Sequence, residues 1–154
     1  MTTEIGKKAP DFNLPATGEK KISLKSLRGK KVIIYFYPKD DTPGCTKESC
    51  GFRDNISAFK KSGTEVIGIS KDTISKHEKF STKYDLNFPL ASDAETTTCE
   101  DYGVWKEKNM YGRKYMGIER STFLIDEKGI LRAEWRKVKV PGHVEEVLSA
   151  CSEI

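Results

Sequence analysis

The sequence contains no long apolar run. None of its stretches approaches the roughly 18 consecutive apolar residues that a membrane-spanning helix requires. The first eight residues also lack the apolar segment of a secretory signal. From these two absences we expect a cytoplasmic protein that is neither exported nor anchored in a membrane.

Charge of one sign is not concentrated anywhere along the chain. The 27 Lys and Arg residues are balanced by 23 Asp and Glu residues, which gives a net charge of +4. No basic run is longer than two residues, and acidic residues are scattered among the bases. Because a nucleic-acid-binding protein usually gathers its positive charge on one stripe, we expect no nucleic-acid partner.

Cysteine is scarce, with four residues in a chain of 154. In a cytoplasmic protein, a few cysteines are more often reduced, catalytic or metal-binding than a structural disulfide framework. The length suits one domain, which we assign to residues 1–154. A hydrophobic content of 36% with 32% charged residues is typical of a globular protein with a solvated surface.

A continuous apolar run marks the centre of a predicted sheet. Residues 32–37, Val-Ile-Ile-Tyr-Phe-Tyr, lack the alternation of a half-exposed strand and end at Pro38. This pattern predicts a strand that is buried on both faces, and residues 65–70 predict a second. Helical stretches are predicted over residues 45–61 and 75–84. Strands that alternate with helices in this way are typical of a parallel arrangement.

The flanking segments complete the predicted fold. The predicted elements are an N-terminal hairpin (12–15 with 21–24), a short helix (94–102), an irregular segment containing Trp105, a second hairpin (121–126 with 130–135) and a closing helix (143–151). This order predicts an α/β protein with a thioredoxin-like fold. In that fold, helices flank a mixed central β-sheet, and here an N-terminal β-hairpin extends it.

Cys45 stands at the start of a predicted helix. Thr42 and Pro43 have the character of an N-cap and a first helical residue, which places Cys45 in the first turn. Free backbone N–H groups and the positive end of the helix dipole favour an anion there, and a thiolate is the reactive form of cysteine. The dipole supplies only about 0.3–1 kcal/mol. We therefore expect a nearby cation and further hydrogen-bond donors, for which Thr42, backbone N–H groups and an arginine are the natural suppliers.

The second cysteine of this helix lies on a different face. At about 100° per residue, the side chains close to Cys45 belong to the apolar face, namely Ser49, Phe52, Ile56 and Phe59. Cys50 lies about 140° away on the polar face, either as a functional thiol or as a small tolerated residue. Helical Cα atoms five residues apart are about 8.6 Å apart, and a disulfide requires less than about 7 Å. A disulfide between Cys45 and Cys50 would therefore require the first turns of the helix to unwind.

The segment Pro38-Lys-Asp-Asp-Thr-Pro-Gly-Cys45 resembles the active-site motif of the peroxiredoxins. That motif is a proline, three residues, a threonine, two residues and the peroxidatic cysteine. The continuation to Cys50 is similar to the bacterioferritin comigratory protein subfamily, also called the Q-type peroxiredoxins. Further similar segments lie along nearly the whole chain, at residues 6–12, 66–70, 102–105 and 120–126.

This resemblance implies a thiol-dependent peroxidase that reduces hydrogen peroxide and organic hydroperoxides. It implies that Cys45 is the peroxidatic cysteine and that Cys50 is the resolving cysteine of the same subunit. Thr42 would bond the thiolate and the peroxide, Pro38 would shield the pocket, and Arg120 would polarise thiolate and substrate. The resemblance also implies a monomer that thioredoxin or glutaredoxin reduces, without a metal or an organic cofactor.

The remaining candidate residues receive less active roles. We expect Cys99 to be a bystander and Cys151 to be a packing residue of the closing helix. Neither His77 nor His143 has a carboxylate or cysteine partner at a catalytic spacing, so we expect both at the surface. We also expect the two acids of the nucleophile loop, Asp40 and Asp41, to be solvated, because acids that point inward would disfavour a thiolate.

Two other classes of function fit the sequence less well than a peroxidase. A thiol–disulfide oxidoreductase of the thioredoxin type has a Cys-x-x-Cys pair, whereas four residues separate Cys45 from Cys50. A zinc-binding module clusters its ligands as closely spaced cysteine pairs. Cys45 and Cys50 satisfy one such pair, but Cys99 and Cys151 are isolated. Insulin reduction and zinc binding are the assays that separate these classes from a peroxidase.

Overall fold

The computed structural model describes residues 3–154. Its strands are β1 (Asn13–Ala16), β2 (Lys20–Ser23), β3 (Lys31–Phe36), β4 (Thr64–Ser70), β5 (Leu90–Ser92), β6 (Trp105–Met110), β7 (Arg113–Ile118), β8 (Ser121–Ile125) and β9 (Leu131–Arg136). Its α-helices are α1 (Pro43–Asp54), α2 (Ile56–Lys61), α3 (Ile74–Lys83), α4 (Thr98–Asp101) and α5 (His143–Ser152). A short 3₁₀ helix spans Lys25–Leu27.

Seven strands form the central sheet, in the order β2-β1-β5-β4-β3-β8-β9. Strand β3 pairs parallel with β4 and antiparallel with β8, so the sheet is mixed. Every residue of β3 is buried, because apolar clusters cover both faces: Ile34 belongs to one cluster, and Ile33 belongs to the other together with Cys45. The predicted thioredoxin-like α/β fold is confirmed.

The predicted N-terminal hairpin is also confirmed. Strands β1 and β2 pair antiparallel, with Leu14 opposite Ile22. A contact between Ala16 and Ala91 joins β1 to β5, so the hairpin extends the central sheet at one edge. At the opposite edge, β8 and β9 form the second predicted hairpin.

The predicted helix over residues 45–61 is wrong in its length. It begins two residues earlier, at Pro43, and Asn55 divides it into α1 and α2. Asn55 has φ −108° and ψ 9°, and its side-chain amide donates to the Gly51 carbonyl at 2.8 Å. Asparagine competes in this way for backbone hydrogen bonds and thereby ends helices. The helix predicted over residues 94–102 is shorter than expected, since α4 covers only Thr98–Asp101.

The prediction of an irregular segment around Trp105 is wrong. Strands β6 and β7 form a separate two-stranded antiparallel sheet. Tyr111 and Gly112 join them with φ values of 53° and 79°, the backbone conformation of a tight hairpin turn. Most of the hairpin is exposed, so it lacks the apolar alternation that reveals a strand in sequence. Buried Ile118 and partly buried Trp105 attach its base to the core.

Helix α5 lies beside α1, and Val144 approaches Gly51. The apolar residues of α5 include Val147 and Cys151, both fully buried, which confirms the packing role predicted for Cys151. Within residues 3–154, no helix combines the length and the apolar character that crossing a membrane requires.

Candidate active site

The sheet register brings together two residues that are 75 positions apart in sequence. Phe36, at the end of β3, pairs with Ser121, at the start of β8. The chain leaves β3 through a loop into α1 and Cys45, and Arg120 immediately precedes β8. The two side chains therefore meet at one edge of the sheet, where Arg120 Nη2 lies 3.2 Å from Cys45 Sγ.

Cys45 occupies the first turn of α1, as predicted. Thr42 is the N-cap residue and Pro43 is the first helical residue. The thiol is 1% exposed and belongs to the apolar cluster under the helix. The predicted apolar face is confirmed, since Ser49, Phe52 and Phe59 are buried on the same side. A cation and the positive end of a helix dipole thus act on one buried sulfur.

Glu48 is a part of the site that sequence reasoning missed. It is fully buried, and its Oε1 accepts a hydrogen bond from Arg120 Nη1 at 2.7 Å. Burial raises the pKa of Glu48 to about 7, although the ion pair with Arg120 acts in the opposite direction. For Arg120, burial would lower the pKa, but its contacts with Glu48 and Cys45 outweigh that effect and raise it. The signal in the sequence was the position of Glu48, one helical turn after Cys45 on the same face.

Gly44 makes room for the guanidinium. A β-carbon at this position would lie 3.2 Å from Arg120 Nη2, which is tighter than ordinary van der Waals contact. The residue before the cysteine therefore has to be small for Arg120 to reach Sγ. The sequence offered no reason to single out this glycine, because the contact depends on a residue 76 positions away.

Thr42 and Pro38 both lie in or beside the loop that leads into α1, and both are half-buried. The Thr42 hydroxyl donates to the Lys39 carbonyl at 2.9 Å and makes no capping bond to the helix. A thiolate can only accept, so a bond from Thr42 to the sulfur requires the hydroxyl to turn its one proton away from Lys39. The bond from Thr42 to the thiolate and the shielding role of Pro38 stay predictions.

Cys50 is half-buried within the regular part of α1. It carries a free thiol, as do Cys45, Cys99 and Cys151. Buried Glu48 and Ser49 lie between the two cysteines of the helix, and the Ser49 hydroxyl lies 2.8 Å from that of Tyr35 on β3. A disulfide between Cys45 and Cys50 would therefore disrupt both the helix and these contacts.

Comparison with known proteins identifies the family. Residues 5–134 match the AhpC/TSA family. A peroxiredoxin of the Bcp type from Coxiella burnetii is 59% identical over 96% of this chain and 98% of its own length. Peroxiredoxin Bcp from Bacillus subtilis is 49% identical over 100% of this chain and 98% of its own. The bacterioferritin comigratory protein of Xanthomonas campestris, a solved structure, superimposes with a TM-score of 0.91 at 41% identity, covering 97% of this chain and 98% of that one.

The chain belongs to the peroxiredoxins of the AhpC/TSA family. Its relatives place it in the Bcp or Q-type branch, which confirms the resemblance found in the sequence. It is accordingly a thiol-dependent peroxidase, an oxidoreductase that acts on hydroperoxides. The solved structure from Xanthomonas campestris was studied for the alkyl peroxide reduction activity of that protein.

The loop before the peroxiredoxin cysteine is fixed by a buried polar network. Asp40 is buried, with Oδ1 accepting from the Tyr37 hydroxyl at 2.5 Å and Oδ2 lying 2.6 Å from His77 Nδ1. Its backbone N–H donates to Asp72. The expectation that Asp40 is solvated and His77 lies at the surface is wrong. The two residues, 37 positions apart in sequence, are each other's buried hydrogen-bond partner. Asp41, in contrast, is exposed as expected.

Three of these side chains form a cluster with the composition of a metal site. Potential ligand atoms of Asp40, Asp72 and His77 lie within 4.8 Å of one another. Each residue already has hydrogen-bond partners within the protein, including the Ala91 carbonyl for His77 Nε2 and the Ser70 hydroxyl for Asp72. Because a carbonyl can only accept, Nε2 carries a proton and Nδ1 faces Asp40. The cluster thus has a structural function, which is to hold the loop through these hydrogen bonds.

His143 is the second histidine that is buried rather than exposed. Its Nε2 lies 2.8 Å from the Thr122 hydroxyl on β8. Burial lowers the pKa of His143, so the neutral form is favoured. It lies at the start of α5, as its position after Pro141-Gly142 predicted.

The two other cysteines are placed as ordinary core residues. Cys99 and Cys151 are fully buried. Burial raises the pKa of Cys99 far above its usual range, and the neighbouring Asp93 carboxylate acts in the same direction. Burial raises the pKa of Cys151 to about 11. Both thiols are therefore protonated at neutral pH, in agreement with the inactive roles expected for them.

Proposed function

We propose that Cys45 is the nucleophile of the peroxidase reaction. The observation that supports this assignment is the 3.2 Å contact between Arg120 Nη2 and Cys45 Sγ at the start of α1. In the reaction the thiolate attacks the terminal oxygen of a hydroperoxide. The S–O bond forms, the O–O bond breaks, and its electron pair goes to the leaving oxygen, which takes up a proton. The products are a sulfenic acid on Cys45 and water or an alcohol.

Arg120 stabilises both the thiolate and the negative charge that develops along the breaking O–O bond. A fixed donor in a site sheltered from water stabilises a transition state more than the same donor would in water. Thr42 bonds thiolate and peroxide from the N-cap, and Pro38 shields the pocket from solvent. Support for these two roles comes from their places in the loop before α1 and from the family motif.

Cys50 is the resolving cysteine of this proposal. It attacks the sulfenic acid, an S–S bond forms, and the sulfenic oxygen leaves as water. Since helical residues five apart are too distant for a disulfide, α1 unwinds at its first turns. The break at Asn55 confines this rearrangement to α1, because α2 begins afresh at Ile56.

The proposed substrates are hydrogen peroxide and organic hydroperoxides. Alkyl peroxide reduction in the Xanthomonas campestris relative supports the organic class. Thioredoxin, or alternatively glutaredoxin, reduces the disulfide and completes the cycle. We place the enzyme in the cytoplasm, where a reducing environment keeps its thiols free between turnovers. We expect it to be a monomer.

Mass spectrometry of peroxide-treated protein tests the assignment of the cysteines. Cys45→Ser is expected to abolish thioredoxin-dependent peroxide consumption. Cys50→Ser is expected to form a sulfenic acid on Cys45, trapped by dimedone, while turnover stops after one equivalent of peroxide. Cys99→Ser serves as the matched control and should keep wild-type turnover. Full activity in Cys45→Ser, or a disulfide that joins Cys45 to Cys99 or Cys151, would contradict the proposal.

A further inference from the structure

Glu48 is an anomaly among the polar groups of the protein. It is fully buried in α1, one turn after Cys45. One carboxyl oxygen, Oε1, accepts from Arg120, whereas Oε2 has no hydrogen-bond partner. Within residues 3–154, Oε2 is the only buried side-chain nitrogen or oxygen atom in that condition. A buried carboxylate with an unpaired oxygen is costly, because its negative charge has lost water without full replacement.

An ionised Glu48 would share its salt-bridge partner, Arg120, with the Cys45 thiolate. Arg120 contacts it from the loop before β8, and the same guanidinium contacts the Cys45 sulfur. Tyr35 lies close on β3, and its burial raises its pKa well above the usual value, so it stays neutral. Half-buried Lys108 on β6 lies near Arg120 and Cys45. His143, at the start of α5, also lies near Arg120, and burial lowers its pKa, so its neutral form is favoured. One buried guanidinium therefore faces two acids.

We propose that Glu48 carries a proton in the reactive state of the enzyme, so that Arg120 serves one anion, the Cys45 thiolate, instead of two. Two acids that share a buried site do not both ionise readily, because each anion repels the other. The desolvation of Glu48 favours its neutral form even before the thiolate is counted. This inference rests on the proposed role of Cys45 as the nucleophile, and it makes Glu48 a positioning residue that acts through Arg120.

The coupling between the charges of Glu48 and Cys45 also accounts for the proton that the leaving oxygen takes up. Attack replaces the thiolate by a neutral sulfenic acid, and the anion then lies on the leaving oxygen. With no thiolate left beside Arg120, Glu48 can ionise and pair with the guanidinium. The proton lost by Glu48 balances the one gained by the leaving oxygen, so the site carries one negative charge before and after the step. When Cys45 is reduced and ionises again, its proton restores neutral Glu48.

Glu48→Gln separates this inference from a plain salt bridge. Glutamine has the shape of the neutral acid and keeps an oxygen that can accept from Arg120. We expect the first oxidation of Cys45 at pH 7 to keep a rate within about threefold of wild type. If Glu48 were instead ionised and positioned Arg120 by its charge, the variant would lose that ion pair. The rate would then fall about 100-fold, as when a transition-state donor is lost. Glu119→Gln removes a carboxylate beside Arg120 in sequence and is the matched control, with an unchanged rate.

The pH profile supplies a second readout. In the wild type, ionisation of Glu48 at alkaline pH places a second anion on Arg120 and weakens its hold on the sulfur. The rate of the first oxidation should therefore fall as pH rises through this ionisation. In Glu48→Gln no such ionisation exists, and the rate should stay on its plateau over the same pH range. An identical alkaline fall in both proteins would overturn the inference.

Carbon-13 labelling of the glutamate carboxyl groups measures the proton directly and does not depend on a Glu48 variant that folds. The Glu48 signal is assigned as the one that is absent from Glu48→Gln, or as the one glutamate carboxyl perturbed by Cys45→Ser. At pH 7 it should have the chemical shift of a neutral acid in reduced wild type. In Cys45→Ser, which has no thiolate, Glu48 should ionise at a pH lower by about two units, the size expected for two charges about 6 Å apart at an effective dielectric constant of about 20. An ionised Glu48 signal at pH 7 in wild type would refute the inference, while Cys45 remained the nucleophile. Peroxidase activity in Cys45→Ser would instead refute the proposed nucleophile.

Discussion

Cys45 and Cys151 are equally buried, yet the structure gives them opposite chemistry. The first is 1% exposed and the second is fully buried. Cys45 lies in the first turn of α1 with an arginine on its sulfur. Cys151 lies in the last turn of α5, where the negative end of the dipole disfavours an anion. The cation near it, Lys31, donates to the carbonyl oxygen of Cys151 at 2.8 Å.

Burial alone therefore does not decide whether a thiol in this protein ionises. At Cys151, desolvation raises the pKa to about 11, and Lys31 and Thr64 reduce that effect without cancelling it. At Cys99 a carboxylate stands beside the thiol, so its environment is still less favourable to an anion. Only Cys45 combines the positive end of a helix with a guanidinium directed at sulfur. Reactivity follows from those two features acting together.

Arg120→Lys should have the largest effect on this contrast. Arg120 uses separate nitrogens for Glu48 and the sulfur, and lysine, with one ammonium nitrogen and no planar fork, cannot reproduce this pair of contacts. We expect the second-order rate of Cys45 oxidation to fall about 100-fold, the effect of losing one transition-state donor. Stopped-flow measurement with hydrogen peroxide checks this. Arg132→Lys, at an exposed ion pair with Asp126, is the control and should react at the wild-type rate. A fall of less than threefold in Arg120→Lys would show that the fork is unimportant.

Gly44→Ala should have a smaller effect through the same contact. The new methyl group displaces the guanidinium by a few tenths of an ångström from its position beside sulfur. We expect the rate of Cys45 oxidation to fall about tenfold, since errors of about 1 Å in a reacting geometry cost about 100-fold. Stability should not fall, because alanine is the better helix former.

Gly51→Ala is the matched control for that variant within the same helix. Its β-carbon would lie 3.0 Å from Val144 Cγ2, far from Arg120. Overpacking of this kind costs about 1–3 kcal/mol of stability, of which the better helix propensity of alanine offsets about 1 kcal/mol, whereas the rate of Cys45 oxidation per folded molecule should be unchanged. Urea denaturation and stopped-flow oxidation measure the two quantities. Equal losses of rate in Gly44→Ala and Gly51→Ala would remove the special role given to Gly44.

The smallest expected signal is the pH dependence of Cys151 labelling. A thiol with a pKa of about 11 is about one part in a thousand thiolate at pH 8, and this fraction rises tenfold per pH unit up to the pKa. Alkylation of Cys151 by iodoacetamide in the folded protein should therefore be negligible at pH 8, increase about tenfold per pH unit up to pH 10 and level off above pH 11. Peptide mapping reports labelling at each cysteine, and Cys45 should be labelled first. Labelling of Cys151 at pH 7 as fast as that of Cys45 would show that the two thiols do not differ in reactivity.

The sequence predicted what depends on local spacing. The Thr42-Pro43 helix start, the apolar face of α1 and the two buried strands of the sheet all follow from neighbouring residues. Arg120 was assigned from the family motif alone, since only the pairing of β3 with β8 brings it to Cys45. No sequence pattern links Gly44 to Arg120, because the contact that leaves no room for a β-carbon at position 44 forms only in the folded chain.

Buried polar pairs were the main failure of sequence reasoning. Asp40 and His77 were expected in solvent because polar residues usually lie there. Each has the other as its hydrogen-bond partner across 37 residues of chain, and a partner at that separation leaves no periodic signal. Glu48 was missed although it lies one helical turn after Cys45, because the ion pair that allows a carboxyl group to be buried there comes from Arg120, 72 positions away.

The ultraviolet absorbance of thiolate at pH 7, recorded as wild type minus Cys45→Ser, tests directly whether the Cys45 sulfur is an anion. The difference should equal about one thiolate per molecule, and Arg120→Met should remove most of it. The absence of any difference at pH 7, in a protein that still folds and consumes peroxide, would contradict the claim that Arg120 and the start of α1 hold the Cys45 sulfur as an anion.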